Sequence, residues 1–183
     1  GMQMFNAEVT GITHDKLRPR VSYTAKGLWG VYAILTVLLI ILLSFSDMGF
    51  YDAFCYGLST MSTGGFSTEN GGIHDLNSIY VKIVMIVFMF IGGVNFSLIY
   101  NTAIGKTKGL LKNTVLKVYI WFIIVGTIIF DIDILIGGSN LSVADLTVDP
   151  LFQAVSLLSS TGITEPDFHD WGSLSVVMLI IMM

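Results

Sequence analysis

The sequence predicts an all-α membrane protein made of repeated units, each a transmembrane helix, a re-entrant pore loop and a second transmembrane helix. Three observations lead there. Of 183 residues, 54% are hydrophobic and only 12% charged, and the mean hydropathy is +0.78; a soluble domain carries roughly 25% charged residues. Three apolar runs are long enough to cross a bilayer, which takes roughly 20 residues. Between runs lie two shorter apolar segments, each leading into a stretch of serine, threonine and glycine.

The first run covers residues 28–45 and opens with Lys26 and Trp29. A short segment follows at 51–61, with Ser46 or Asp47 as the available N-cap. It leads into "STMSTGGFST" at 59–68. The second run, 79–100, is interrupted by Lys82, Gly92, Gly93 and Asn95. The third, about 118–136, carries Asp131 and Asp133 near its far end. The second short segment, 151–158, has a clear start signal in Asp149 as N-cap and Pro150 at the first helical position. It leads into "SLLSSTGIT" at 156–164. A fourth run begins near Leu174 and reaches about half a span by Met183, so the chain reads as a fragment cut within a helix.

The order is span, half-helix, loop and span, and then the same again. Gly65 follows Trp29 by 36 residues and Gly162 follows Trp121 by 41 (65 − 29 and 162 − 121). An internal repeat explains both spacings. The expected organisation is a cytoplasmic linker at 1–26, a first repeat at 27–101, a basic cytoplasmic loop at 102–117 and an incomplete second repeat at 118–183.

Charge sets the orientation. Lys16, Arg18, Arg20 and Lys26 precede the first span, and Lys106, Lys108, Lys112 and Lys117 lie between the second and third. By the positive-inside rule both segments are cytoplasmic. Asp47, Asp52, Glu69, Asp75, Asp145, Asp149, Glu165, Asp167 and Asp170 gather on the other side, with Asp131 and Asp133. Both half-helices therefore enter from outside. Lys82 stands apart from the basic segments and reads as a snorkelling side chain at the outer end of a span.

Several classes are excluded. A net charge of −4 offers no basic face for nucleic acid. Cys55 is the only cysteine and reads as a small buried hydrophobe, and His14, His74 and His169 show no ligand spacing, so no bound cofactor is expected. "IGKTKG" at 104–109 lacks the upstream glycine of a nucleotide loop, because Tyr100 takes that place. Asn140, Leu141 and Ser142 form a sequon, which is weak evidence. No signal peptide is evident, and no catalytic group converges, so an enzyme is not expected. Gly92, Gly93 and Asn95 read as helix packing through small residues, with a bend as the other possibility.

Backbone at membrane depth must be satisfied internally or line a cavity. A Ser/Thr/Gly loop there makes sense if its carbonyls replace the hydration shell of a cation. Glycine lets successive carbonyls be aimed freely. A half-helix ending at the loop adds the partial negative charge of its C-terminus, and the acidic rim raises the local cation concentration. Potassium channels have this architecture.

The segments "FYDAFCYGLSTMSTGGFSTENGG", "FMFIGGVNFSLIY" and "LFQAVSLLSSTGITEPDFHDW" resemble the Trk/Ktr/HKT superfamily of potassium transporters, and "GMQMFNAEVTGITHDKLRPRVSYTAKGLW" resembles its Trk-type membrane subunit. The resemblance covers essentially the whole chain. It implies four helix–pore loop–helix repeats around one pore, of which this chain supplies the first and most of the second. It assigns Ser62, Thr63, Gly64 and Gly65 to the first filter strand and Ser159, Ser160, Thr161 and Gly162 to the second. Ile163 stands where the family usually has phenylalanine, behind the filter. Potassium is then the transported ion, held at Thr63, Gly64, Gly65, Thr161 and Gly162.

In plant relatives serine at the Gly65 position accompanies sodium transport, so glycine there implies potassium. The resemblance further implies a homodimer of complete subunits, a cytosolic nucleotide-binding regulatory ring and a bacterial inner membrane. Alternatives are a sodium-permeable relative and a non-conducting scaffold or sensor of the same fold.

Overall fold

The computed structural model describes residues 21–68, 78–103, 113–137 and 143–163, together with Ser175, Val177 and Ile180. The described residues form six helices: α1 (Val21–Ser44), α2 (Phe50–Met61), α3 (Ile79–Gly93), α4 (Phe96–Ala103), α5 (Thr114–Gly137) and α6 (Val143–Leu158). The three histidines, the 104–109 stretch, the sequon, most of the fourth apolar run and the basic residues other than Lys26, Lys82 and Lys117 lie outside the described residues.

α1 and α5 have 24 residues each, about 36 Å at 1.5 Å per residue, enough for a hydrocarbon core of about 30 Å. Both expose bulky apolar side chains, among them Trp29, Ile34 and Ile41 on α1 and Val115, Trp121 and Ile128 on α5. A helix apolar all round suits lipid on its outer face. Two threonine hydroxyls within these spans are satisfied locally. Thr36 donates to the Tyr32 carbonyl at 2.8 Å, and Thr127 to the Ile123 carbonyl at 2.9 Å.

The second apolar run is not one helix. α3 ends at Gly93, Val94 is extended (φ −84°, ψ 144°), and α4 starts afresh. The Asn95 carbonyl accepts the N–H groups of Leu98 at 2.9 Å and Ile99 at 3.4 Å, opening the new helix. Two consecutive glycines weaken the helix by about 1 kcal/mol each relative to alanine, which favours a break at this point.

Both expected half-helix starts also move. α2 is capped by Gly49 rather than Ser46 or Asp47. Ser46 is used in the preceding turn, where its hydroxyl donates to the Leu43 carbonyl at 2.6 Å and accepts the Met48 N–H at 3.3 Å. α6 begins at Val143, so Asp149 is not an N-cap and Pro150 lies inside the helix. The Asp149 carboxylate is engaged instead in an ion pair with Lys82.

α1 packs on α2, α3 and α4, and α2 packs on α3, enclosing the first half-helix. The second half-helix, α6, packs on α5 and on α3. α3 is thus the seam between repeats. Leu39, Leu43, Tyr56, Met85, Met89, Phe152, Val155 and Ile163 form one buried cluster across it.

Candidate functional site

Both half-helices end in the same way. At the end of α2 the Ser62 N–H reaches the Leu58 carbonyl at 3.0 Å, Thr63 reaches Thr60 at 3.2 Å and Gly64 reaches Ser59 at 2.8 Å. At the end of α6, Ser159 reaches Val155 at 2.9 Å, Ser160 reaches Leu157 at 2.9 Å and Thr161 reaches Ser156 at 2.9 Å. Every donor and acceptor is displaced by 97 residues (160 − 63 and 162 − 65). This is the Schellman pattern of helix termination, which places the residue after the C-cap in the left-handed region.

That residue is usually glycine. Here it is Thr63 (φ 51°) and Ser160 (φ 58°), the two non-glycine residues with positive φ among those described. Each bears a cost of roughly 1–2 kcal/mol. Two residues further on, Gly65 (φ 70°) and Gly162 (φ 73°) are left-handed again. Strain repeated at equivalent positions points to a functional constraint rather than a local accident.

The strands beyond the helix ends are fastened by serines one turn back. The Ser59 hydroxyl donates to the Phe66 carbonyl at 2.8 Å and accepts the Phe66 N–H at 2.7 Å. The Ser156 hydroxyl donates to the Ile163 carbonyl at 2.6 Å. Tyr56 adds a hydrogen bond to Ser67 at 2.8 Å, and Ser159 one to Thr161 at 2.7 Å. The N–H groups of Thr63, Gly64, Ser160, Thr161 and Gly162 are thus spent on the helix ends. Among the described residues no donor reaches the carbonyls of Thr63, Gly64, Gly65, Ser160, Thr161 or Gly162.

The two strands meet. A Cβ added at Gly65 would strike the Thr161 carbonyl oxygen, and it would lie 3.5 Å from the Gly162 carbonyl carbon. Gly65 therefore adjoins Thr161 and Gly162, and the residues assigned from the sequence, Ser62 to Gly65 and Ser159 to Gly162, follow the ends of α2 and α6. Ile163 is buried at 2% exposure within the inter-repeat cluster, while its counterpart Phe66 is 78% exposed.

α3 supports this junction from behind. Gly93 leaves no space for a side chain, since a Cβ there would meet the Tyr119 hydroxyl and come within 3.2 Å of Ser159 Cα. The packing role expected for this glycine is therefore observed together with the helix break. Tyr119 also stacks on Phe90, with ring centroids 5.4 Å apart.

Three features were missed in the sequence. The Lys82 Nζ lies 2.7 Å from Asp149 Oδ1, and the residue is 9% exposed, so it does not snorkel. Asp133 is buried at 6% exposure and accepts the Ser175 N–H at 2.8 Å. The left-handed residues after the helix ends are Thr63 and Ser160, where the sequence directed attention to the glycines. Cys55 is only partly buried.

Paired half-helices that end in strained, carbonyl-bearing strands between transmembrane helices define a multi-pass membrane protein of the pore-loop class. The TrkH family model, described as a cation transport protein, matches residues 2–122. The chain belongs to this family. The Trk system potassium uptake protein TrkH of Vibrio parahaemolyticus is 30% identical over 184 residues, covering 98% of this chain and 38% of the relative. TrkG of Escherichia coli K12, also named a Trk system potassium uptake protein, is 30% identical over 183 residues, covering 99% and 38%. The crystal structure of the potassium transporter TrkH from Vibrio parahaemolyticus matches with a TM-score of 0.85 at 27% identity, covering 97% of this chain and 38% of that one. The chain thus spans 38% of the length of these relatives.

Proposed function

We propose that this chain contributes the first and most of the second of four helix–pore loop–helix repeats to a potassium-translocating membrane subunit. The observation that carries the reading is the junction of two strands with identical hydrogen-bond register, in which Gly65 lies against the Thr161 carbonyl. Carbonyls of Thr63, Gly64, Gly65, Ser160, Thr161 and Gly162 take the place of water around the ion. Each half-helix directs its negative end towards that site. Potassium is cargo and no covalent step is involved.

The complete protein is a homodimer in the bacterial inner membrane, regulated by a cytosolic nucleotide-binding ring. The N-terminus of this chain is cytoplasmic, as the positions of Lys26 and Lys117 support. Gly65 favours potassium over sodium, because a serine side chain would displace the neighbouring carbonyl.

The test is potassium against sodium flux into liposomes holding the full-length protein, with Gly65→Ser beside wild type. A potassium preference lost in the variant supports the filter. An unchanged preference reduces the glycine pair to a turn.

A further inference from the structure

Lys82 and Asp149 belong to different repeats, and their contact crosses the seam. The Nζ–Oδ1 distance is 2.7 Å, and the side chains are only 11% and 16% exposed. Lys82 lies in the first turn of α3, and Asp149 lies nine residues before the end of α6 (158 − 149), about 14 Å along the helix axis. At the other end of the same pair of helices, Gly93 lies against Ser159, where an added Cβ would be 3.2 Å from Cα. α6 is therefore fastened to α3 at two points, and the second adjoins Ser160, Thr161 and Gly162.

The first point coincides with a weakness in α6. Pro150 follows Asp149 within the helix. Proline has no N–H to bond the carbonyl four residues back, so the backbone alone holds this turn poorly. A charge pair one residue before the proline supplies the missing constraint.

We propose that Lys82 and Asp149 form a positioning pair for ion selectivity. The pair fixes the axial height of α6, and through it the distance from the Thr161 carbonyl to Gly65. The proposal rests on reading the two strands as a filter. It differs from simple stabilisation, because it requires the pair to govern which ion passes.

The experiment uses the full-length protein in liposomes, measuring potassium and sodium flux for wild type, K82M, D149N, K82R and the exchanged pair K82D/D149K. Protein amount and thermal midpoint are measured for each. The potassium-to-sodium preference is expected to fall about tenfold in K82M and D149N, the factor that corresponds to about 1.4 kcal/mol. K82R keeps the preference, and the exchanged pair regains most of it. An unchanged preference in folded K82M overturns the positioning role alone. If K82M does not fold, the exchanged pair decides, and a folded exchanged protein without the preference also overturns it. A wild type with no potassium preference removes the filter reading and the positioning role together.

Discussion

The Cα of Gly65 lies against the carbonyl oxygen of Thr161, so closely that no side chain fits between them. These residues come from separate repeats and are brought together by the ends of α2 and α6. Their contact makes one strand's backbone the boundary of the other's.

Substitution at Gly65 therefore acts in two ways. Gly65→Ala places a side chain at φ 70°, which costs roughly 1–2 kcal/mol. It also displaces the Thr161 carbonyl. The expected result in the full-length protein is a lower thermal midpoint and weaker rejection of sodium in rubidium-uptake competition. A variant that loses stability but rejects sodium normally would separate the strain from the ion site.

Gly93→Ala should destabilise the protein by about 1–3 kcal/mol through overpacking. The added methyl would meet the Tyr119 hydroxyl, a buried group with no hydrogen-bond partner among the described residues. Tyr119→Phe in the same protein should recover part of the loss, leaving the approach to Ser159. Thermal unfolding of the single and double variants checks the coupling.

Ser59→Ala should cost about 1–3 kcal/mol, because it removes an acceptor and a donor at Phe66. Ser156→Ala removes the hydroxyl that donates to the Ile163 carbonyl and should cost less. Both should reduce ion preference by releasing the strand behind the junction. The order of the two thermal shifts is the measurement.

Asp133 accepts the Ser175 N–H at 2.8 Å, and the contact is buried. Asp133→Ala should cost about 1–3 kcal/mol, because it leaves the buried Ser175 N–H without its acceptor. Asp133→Asn retains an acceptor oxygen and should cost less. Equal losses in unfolding experiments would show that the carboxylate charge matters more than the hydrogen bond.

Much of this architecture was legible in the residues. Apolar length marked α1 and α5, because each reaches the roughly 20 residues that a bilayer requires. The two Ser/Thr/Gly stretches marked the ends of both half-helices, because each follows a segment too short to cross. What could not be read depended on contacts between distant elements. Asp149 beside Pro150 has the form of a helix start, and only the approach of Lys82 explains its other use. Val94 carries no breaking signal of its own, since valine fits helix or strand, and the break follows from Gly92 and Gly93 before it. Thr63 and Ser160 have low intrinsic preference for left-handed backbone, so local propensity pointed to the adjacent glycines.

The most direct test of the carbonyl site is anomalous diffraction from crystals of the full-length protein grown with rubidium or thallium. The account predicts a peak between the strands, within coordination distance of the carbonyls of Gly65 and Thr161, and its loss in Gly65→Ser. A wild-type structure of a transport-competent sample with no ion there, and with ions bound elsewhere along the pore, would contradict it.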